Sequence, residues 1–136
     1  MSVYMDAFTS HMDQKGVRYS VESENRVRIS YSGDNADSIV VNAFFDKDGE
    51  GKVQFIVWHL GKFSESRLAA GMAACNALNA KWRWVKFYLD SDNEGCADCD
   101  ALLDESSAGE ECMELLLRIV DIVDKAYPDL MRALYA

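Results

Sequence analysis

The spacing of apolar side chains changes period several times along the chain, and each change marks an element. Over residues 3–14, Val3, Tyr4, Ala7, Phe8 and Met12 recur at helical spacing, with Ser2 placed to cap the start and Gly16 to end the helix. The period then drops to two. Val17, Tyr19 and Val21, then Val27, Ile29 and Tyr31, alternate with polar residues around Ser23-Glu24-Asn25, which predicts a hairpin with one wet face. Segments 39–45 and 53–60, joined by an acidic turn at 46–51, are apolar on both faces. Ser64 is placed as N-cap of a second helix over 65–79, with Phe63 and Leu68 spaced as a hydrophobic staple. That helix is strewn with Ala69, Ala70, Gly71, Ala73, Ala74 and Ala77, small enough to admit a neighbouring backbone.

Segment 82–89 reads as a strand with Trp82, Trp84 and Tyr88 on one face and Val85, Phe87 and Leu89 on the other. A turn at 90–95 leads to a more polar strand, 96–103. Ser107 and Glu110 are spaced as a capping box opening a long helix to about Tyr127, whose apolar stripe (Cys112, Leu115, Leu116, Ile119, Ile122) opposes Glu111, Glu114, Asp121 and Asp124. Pro128 is expected to interrupt it, with a short turn at 130–134 beyond. The order α-β-β-β-β-α-β-β-α, with strands in adjacent pairs and short connections, predicts an α+β protein with an antiparallel sheet.

Strands apolar on both faces pose a question. Helices on one side of a small sheet would leave the other side wet. Either the helices split to both sides, or a second protein surface covers the open side, or strand 82–89 is central and buried within one subunit. The pattern favours a covering surface, because an apolar patch of that size is rare on monomers.

Length and charge narrow the classes. At 136 residues, with 49% apolar and 27% charged types, residues 1–136 are expected to form one globular domain. Fourteen basic against twenty-three acidic residues, net −9, argue against nucleic-acid and anionic-membrane partners. The first residues have no basic or apolar leader pattern and no run is long enough to span a bilayer, so a soluble cytoplasmic protein with reduced thiols is expected.

No motif carries chemistry. Cys96-Ala97-Asp98-Cys99 falls in a turn and strand, where residues three apart point to opposite faces, and Cys75 and Cys112 lack the spacing of zinc partners. Asp90-Ser91-Asp92-Asn93-Glu94-Gly95 starts like a calcium loop, but Ala101 stands where the closing Glu belongs. Gly49-Glu50-Gly51-Lys52 lacks the first glycine of a phosphate loop, and Val53 follows the lysine. His11 and His59 have no triad pattern around them. No cofactor, metal or catalytic residue is assigned. The aromatics Trp58, Trp82, Trp84 and Tyr88 have two readings: core side chains, or anchors for a partner on the open sheet face.

Residues 76–90, Asn-Ala-Leu-Asn-Ala-Lys-Trp-Arg-Trp-Val-Lys-Phe-Tyr-Leu-Asp, resemble the central helix-to-strand segment of the YbjN-domain family of bacterial sensory transduction regulators. The likeness continues through Ala108–Cys112 and Asp121–Pro128 and covers about residues 3–130. It implies the fold of class I type III secretion chaperones, which are small acidic dimers that bind an extended client. The cysteine-bearing strand 96–103 departs from the chaperone pattern. Asn76 and Asn79 match the family motif, with helix C-capping as their simplest role. The expected function is therefore non-enzymatic: a homodimer binding protein or peptide partners. A small-ligand sensor with an aromatic-lined pocket is the alternative, and an enzyme would require His59 or a Cys paired with perturbed carboxylates in a cleft.

Overall fold

In the computed structural model, which describes residues 2–135, α1 spans Val3–Lys15. Ser2 Oγ accepts from the backbone N–H groups of Tyr4 (3.1 Å) and Met5 (3.3 Å), and Gly16 closes the helix in the left-handed region. The buried stripe is Met5, Phe8 and Met12. Val3, expected to face inward, is exposed, because the stripe that meets the sheet runs through Met5 instead.

Six strands follow in the predicted order: β1 Ser20–Ser23, β2 Arg26–Tyr31, β3 Ile39–Phe45, β4 Lys52–Val57, β5 Lys86–Leu89 and β6 Gly95–Leu102. They form one antiparallel sheet of order β1-β2-β3-β4-β6-β5. The register places Val27, Ile29, Val41, Ala43, Phe45, Phe55 and Ala97 on one face. Phe8 of α1 meets that face, its ring 6.2 Å from Phe45 and 5.8 Å from Phe55. The long helix α3, Ala108–Tyr135, lies over the same side and packs on α1, so both helices cover one face. The helices do not split across the sheet.

Several boundaries moved, each for a local reason. β4 stops at Val57 because His59 takes a left-handed backbone (φ 63°) and turns the chain, after which Leu60 N–H bonds to the Gly95 carbonyl. A 3-10 turn, Glu65–Arg67, precedes α2, Leu68–Lys81, and Ser64 makes no side-chain cap bond. Phe63 is buried against Gly71, where a Cβ would lie 2.8 Å from the Phe63 ring. At the start of α3 the partner of the Ser107 side chain is Glu111, not Glu110. Its carboxylate accepts from Ser107 Oγ at 2.6 Å, while Glu110 is exposed.

Pro128 sits inside α3 without ending it. It removes one backbone bond, toward the carbonyl of Asp124. The turn beyond is held by the burial of Leu130 and by Arg67, whose Nε and Nη2 donate to the Ala133 carbonyl at 3.0 and 2.7 Å. Asp124 in turn clamps the β2–β3 loop. Its carboxylate accepts from the N–H groups of Asp34 (3.1 Å), Asn35 (2.8 Å) and Ala36 (2.9 Å). Gly33 is required there, since a Cβ would fall 2.1 Å from Asp124 Oδ1.

Candidate functional site

The face turned away from α1 and α3 is the candidate site. By register it carries Arg26 and Arg28 of β2, Asn42 and Phe44 of β3, Gln54 and Ile56 of β4, Lys86 and Tyr88 of β5, and Asp98 of β6. Although no helix lies on it, its centre is not wet. Asn42 and Asp98 are each only 3% exposed, and Ile56 6%. Neighbouring side chains do the covering, and they do it in two groups.

On the β2–β4 side, Trp58 packs edge-on to Phe44 with ring centroids 5.8 Å apart. The Arg26 guanidinium lies 5.3 Å from the Phe44 ring and 5.7 Å from the Trp58 ring, and its Nε donates to Asn42 Oδ1 at 2.8 Å. Arg26, Phe44 and Trp58 thus form one aromatic–arginine cluster on this face. On the β5–β6 side, the Asp98 carboxylate accepts from Tyr88 Oη at 2.8 Å and from Gln54 Nε2 at 3.3 Å, with Lys86 Nζ at 3.6 Å. Desolvation, then the bond to Asp98, push the Tyr88 phenol well above its ordinary pKa, so it remains a donor.

The four aromatics singled out from the sequence separate. Trp58 and Tyr88 lie on the open face. Trp82 and Trp84 do not share it, because β5 begins only at Lys86 and the stretch before it is a turn in which Trp84 has φ 77°. They sit on the helix side against α3, where Arg118 lies 5.2 Å from the Trp84 ring and Lys125 5.9 Å from the Trp82 ring. The reading of segment 82–89 as a central strand fails too: β5 is at the sheet edge, beside α2.

At that edge Asn79 does not cap its helix. Its Oδ1 accepts from Phe87 N–H at 2.7 Å and its Nδ2 donates to the Phe87 carbonyl at 3.0 Å. The side chain thus occupies both backbone groups that Phe87 turns away from β6, and closes this part of the edge to another strand. The α2 surface beside it leaves Met72, Ala73 and Asn76 exposed, with Met72 at 58%, along a groove of about 340 Å³ shared with Phe87 and Tyr88.

Cys96 and Cys99 point to opposite faces of β6, as the alternation predicts. Burial first, and the neighbouring carboxylates second, push both thiols up to about 12, which holds them in the neutral thiol form. The Asp90 loop is an Asx turn: Oδ1 of Asp90 accepts from Asp92 and Glu94 N–H at 2.9 and 3.0 Å. Among the described residues no group of three His, Cys, Asp or Glu is placed to hold a metal, and no helix is long and apolar enough to cross a membrane. His59 pairs with Glu94 on an exposed loop.

The signal for the open-face polar network was absent from the sequence. The sequence reading singled out none of Asp98, Gln54 and Arg26, and only the register brings them to one face.

Comparison with known proteins agrees with this architecture. Residues 5–132 match the sequence profile of YbjN, described as "Putative bacterial sensory transduction regulator". No curated protein matches the chain in sequence. Among solved structures, YbjN from E. coli superposes with a TM-score of 0.61 at 14% identity, covering 90% of each chain. A chain of the heterodimeric ExoU–SpcU complex of the Pseudomonas aeruginosa type III secretion system superposes with 0.60 at 17% identity, covering 93% of this chain and 96% of that one. A chain from the Yersinia pestis type III secretion chaperone SycH in complex with a fragment of YscM2 gives 0.56 at 14%, covering 90% and 96%. The fold is therefore type III secretion chaperone-like.

Proposed function

Because this chain belongs to the YbjN family, we propose that it is a non-enzymatic, cytoplasmic interaction module: one domain that dimerises and binds protein or peptide partners on its open sheet face. The observation that carries the reading is the Arg26–Phe44–Trp58 cluster, pre-packed on a sheet face that no helix covers. Structural neighbours described as complexes with protein partners, ExoU–SpcU and SycH with YscM2, support it. The shape of the grooves favours a partner over an enclosed small ligand. The depression along β4 and β6, about 380 Å³, and the one between α2 and β5 are both open to solvent.

The bound segment would lie across Phe44 and Trp58, with Tyr88 as a second anchor beyond Ile56. Self-association would use the outer face of α2, where small residues around Met72 let a second helix approach closely. Affinity capture from native lysate, compared between the wild type and Trp58→Ala, tests the partner site. A protein retained by the wild type and lost by the variant supports the reading, and one retained equally removes the open face from it. Sedimentation of the wild type and Met72→Glu tests the dimer. A wild type that stays monomeric at micromolar concentration would sink it.

A further inference from the structure

We propose that the cleft between the α2–β5 turn and α3 is a second docking site, for an acidic peptide segment whose carboxylates are interleaved with apolar side chains. The proposal is independent of the open-face reading, because the cleft lies on the helix side. It measures about 300 Å³, and its walls include Trp82, Trp84, Arg83, Arg118 and Ile122. Two tryptophans here are each flanked by two cations. Lys81 and Lys125 lie 5.4 and 5.9 Å from the Trp82 ring, and Arg83 and Arg118 lie 5.3 and 5.2 Å from the Trp84 ring.

The charge balance of the cleft opposes that of the chain. The whole sequence carries −9, yet here four cations meet only Glu114, paired with Arg118 at 2.7 Å, and Asp121, paired with Lys125 at 3.1 Å. Among the described residues, Lys81 and Arg83 have no carboxylate within salt-bridge distance. Net charge would send this protein toward basic partners, whereas this surface selects acidic ones.

Three features here work against stability and in favour of contact. Trp84 is 55% exposed, and it holds a left-handed backbone that suits a bulky side chain poorly. The Trp82 indole Nε1–H is buried and finds no acceptor in the protein. A segment brought against the two rings would cover the exposed Trp84 indole. A nucleotide fits less well. The cations already sit over the ring faces on which a base would stack.

The test uses the full chain and a short fluorescein-labelled peptide alternating glutamate with phenylalanine and leucine, read by fluorescence anisotropy, with a lysine-for-glutamate peptide as counterpart. The acidic peptide is expected to bind, to weaken as salt is raised, and to lose about tenfold or more in affinity to the Lys81→Ala/Arg83→Ala double variant. Both residues are exposed, so the double variant should melt with the wild type. Trp58→Ala, on the open face, should bind the peptide unchanged, which separates failure here from failure of the proposed function. Equal binding by the double variant, equal binding of the lysine peptide, or no binding at millimolar protein would overturn the proposal. So would ATP binding that depends on Lys81 and Arg83, or a dimer that the double variant dissolves, since either result gives the cleft a different occupant.

Discussion

Replacing Asn79 by alanine removes two hydrogen bonds at one stroke, those to the Phe87 N–H (2.7 Å) and carbonyl (3.0 Å). Each neutral bond is worth about 0.5–1.5 kcal/mol net, so the loss is about 1–3 kcal/mol, toward the lower end where water reaches the freed edge. For a chain of 136 residues, the unfolding entropy converts each kcal/mol to roughly 3–4 °C, which places the fall in Tm near 4–10 °C. Thermal denaturation followed by circular dichroism reads it. Asn79→Asp sharpens the test. At neutral pH the carboxylate still accepts from the Phe87 N–H, but its other oxygen opposes the Phe87 carbonyl. Protonation restores a donor there, so the native state raises the pKa of the new carboxyl above its unfolded value. Stability relative to wild type should therefore recover as pH falls through that raised pKa. An Asn79→Ala protein that melts with the wild type would refute the edge-closing role. So would an Asn79→Asp deficit that widens on acidification.

Other expectations follow from the same geometry. Backbone N–H donors hold the Asp124 carboxyl below its ordinary value of 3.8, so its contribution is complete above that pH and is lost as pH falls through the lowered value. The Tm gap between wild type and Asp124→Ala should be present at pH 7 and close in strong acid. Its size should be about 1–3 kcal/mol, set by the buried Ala36 N–H left without a partner. Gly71→Ala pushes a methyl group to within 2.8 Å of the Phe63 ring and should cost about 1–3 kcal/mol by overpacking, read as a lower urea midpoint. A thiol reagent such as DTNB at pH 8 should leave Cys96 and Cys99 unlabelled until denaturant is added, since both thiols are buried and pushed up to about 12. Rapid labelling of the folded protein would contradict that burial.

Periodicity determined most of the architecture. The drop from helical spacing to strict alternation after Gly16, the β3 and β4 runs, and the apolar stripe of α3 were all legible, because hydrophobic burial writes its period directly into residue order. Caps were partly legible. Ser2 works as read, whereas Ser107 is joined by Glu111 instead of Glu110, since side-chain reach differs by one position between the two. Alternation also placed Cys96 and Cys99 on opposite faces. What it could not settle was which strands are neighbours. Segment 82–89 looked buried on both sides because its aromatics are as apolar as those of a central strand, yet half of it is a turn packed on α3.

Only tertiary structure decided that Asp98, Gln54 and Tyr88 meet, that Asn79 reaches across to Phe87 instead of ending its own helix, and that Trp82 and Trp84 gather four cations. Local pattern reflects how each residue partitions between protein and water. Which polar groups satisfy one another depends on strand order and register, and these are set by how the whole core closes.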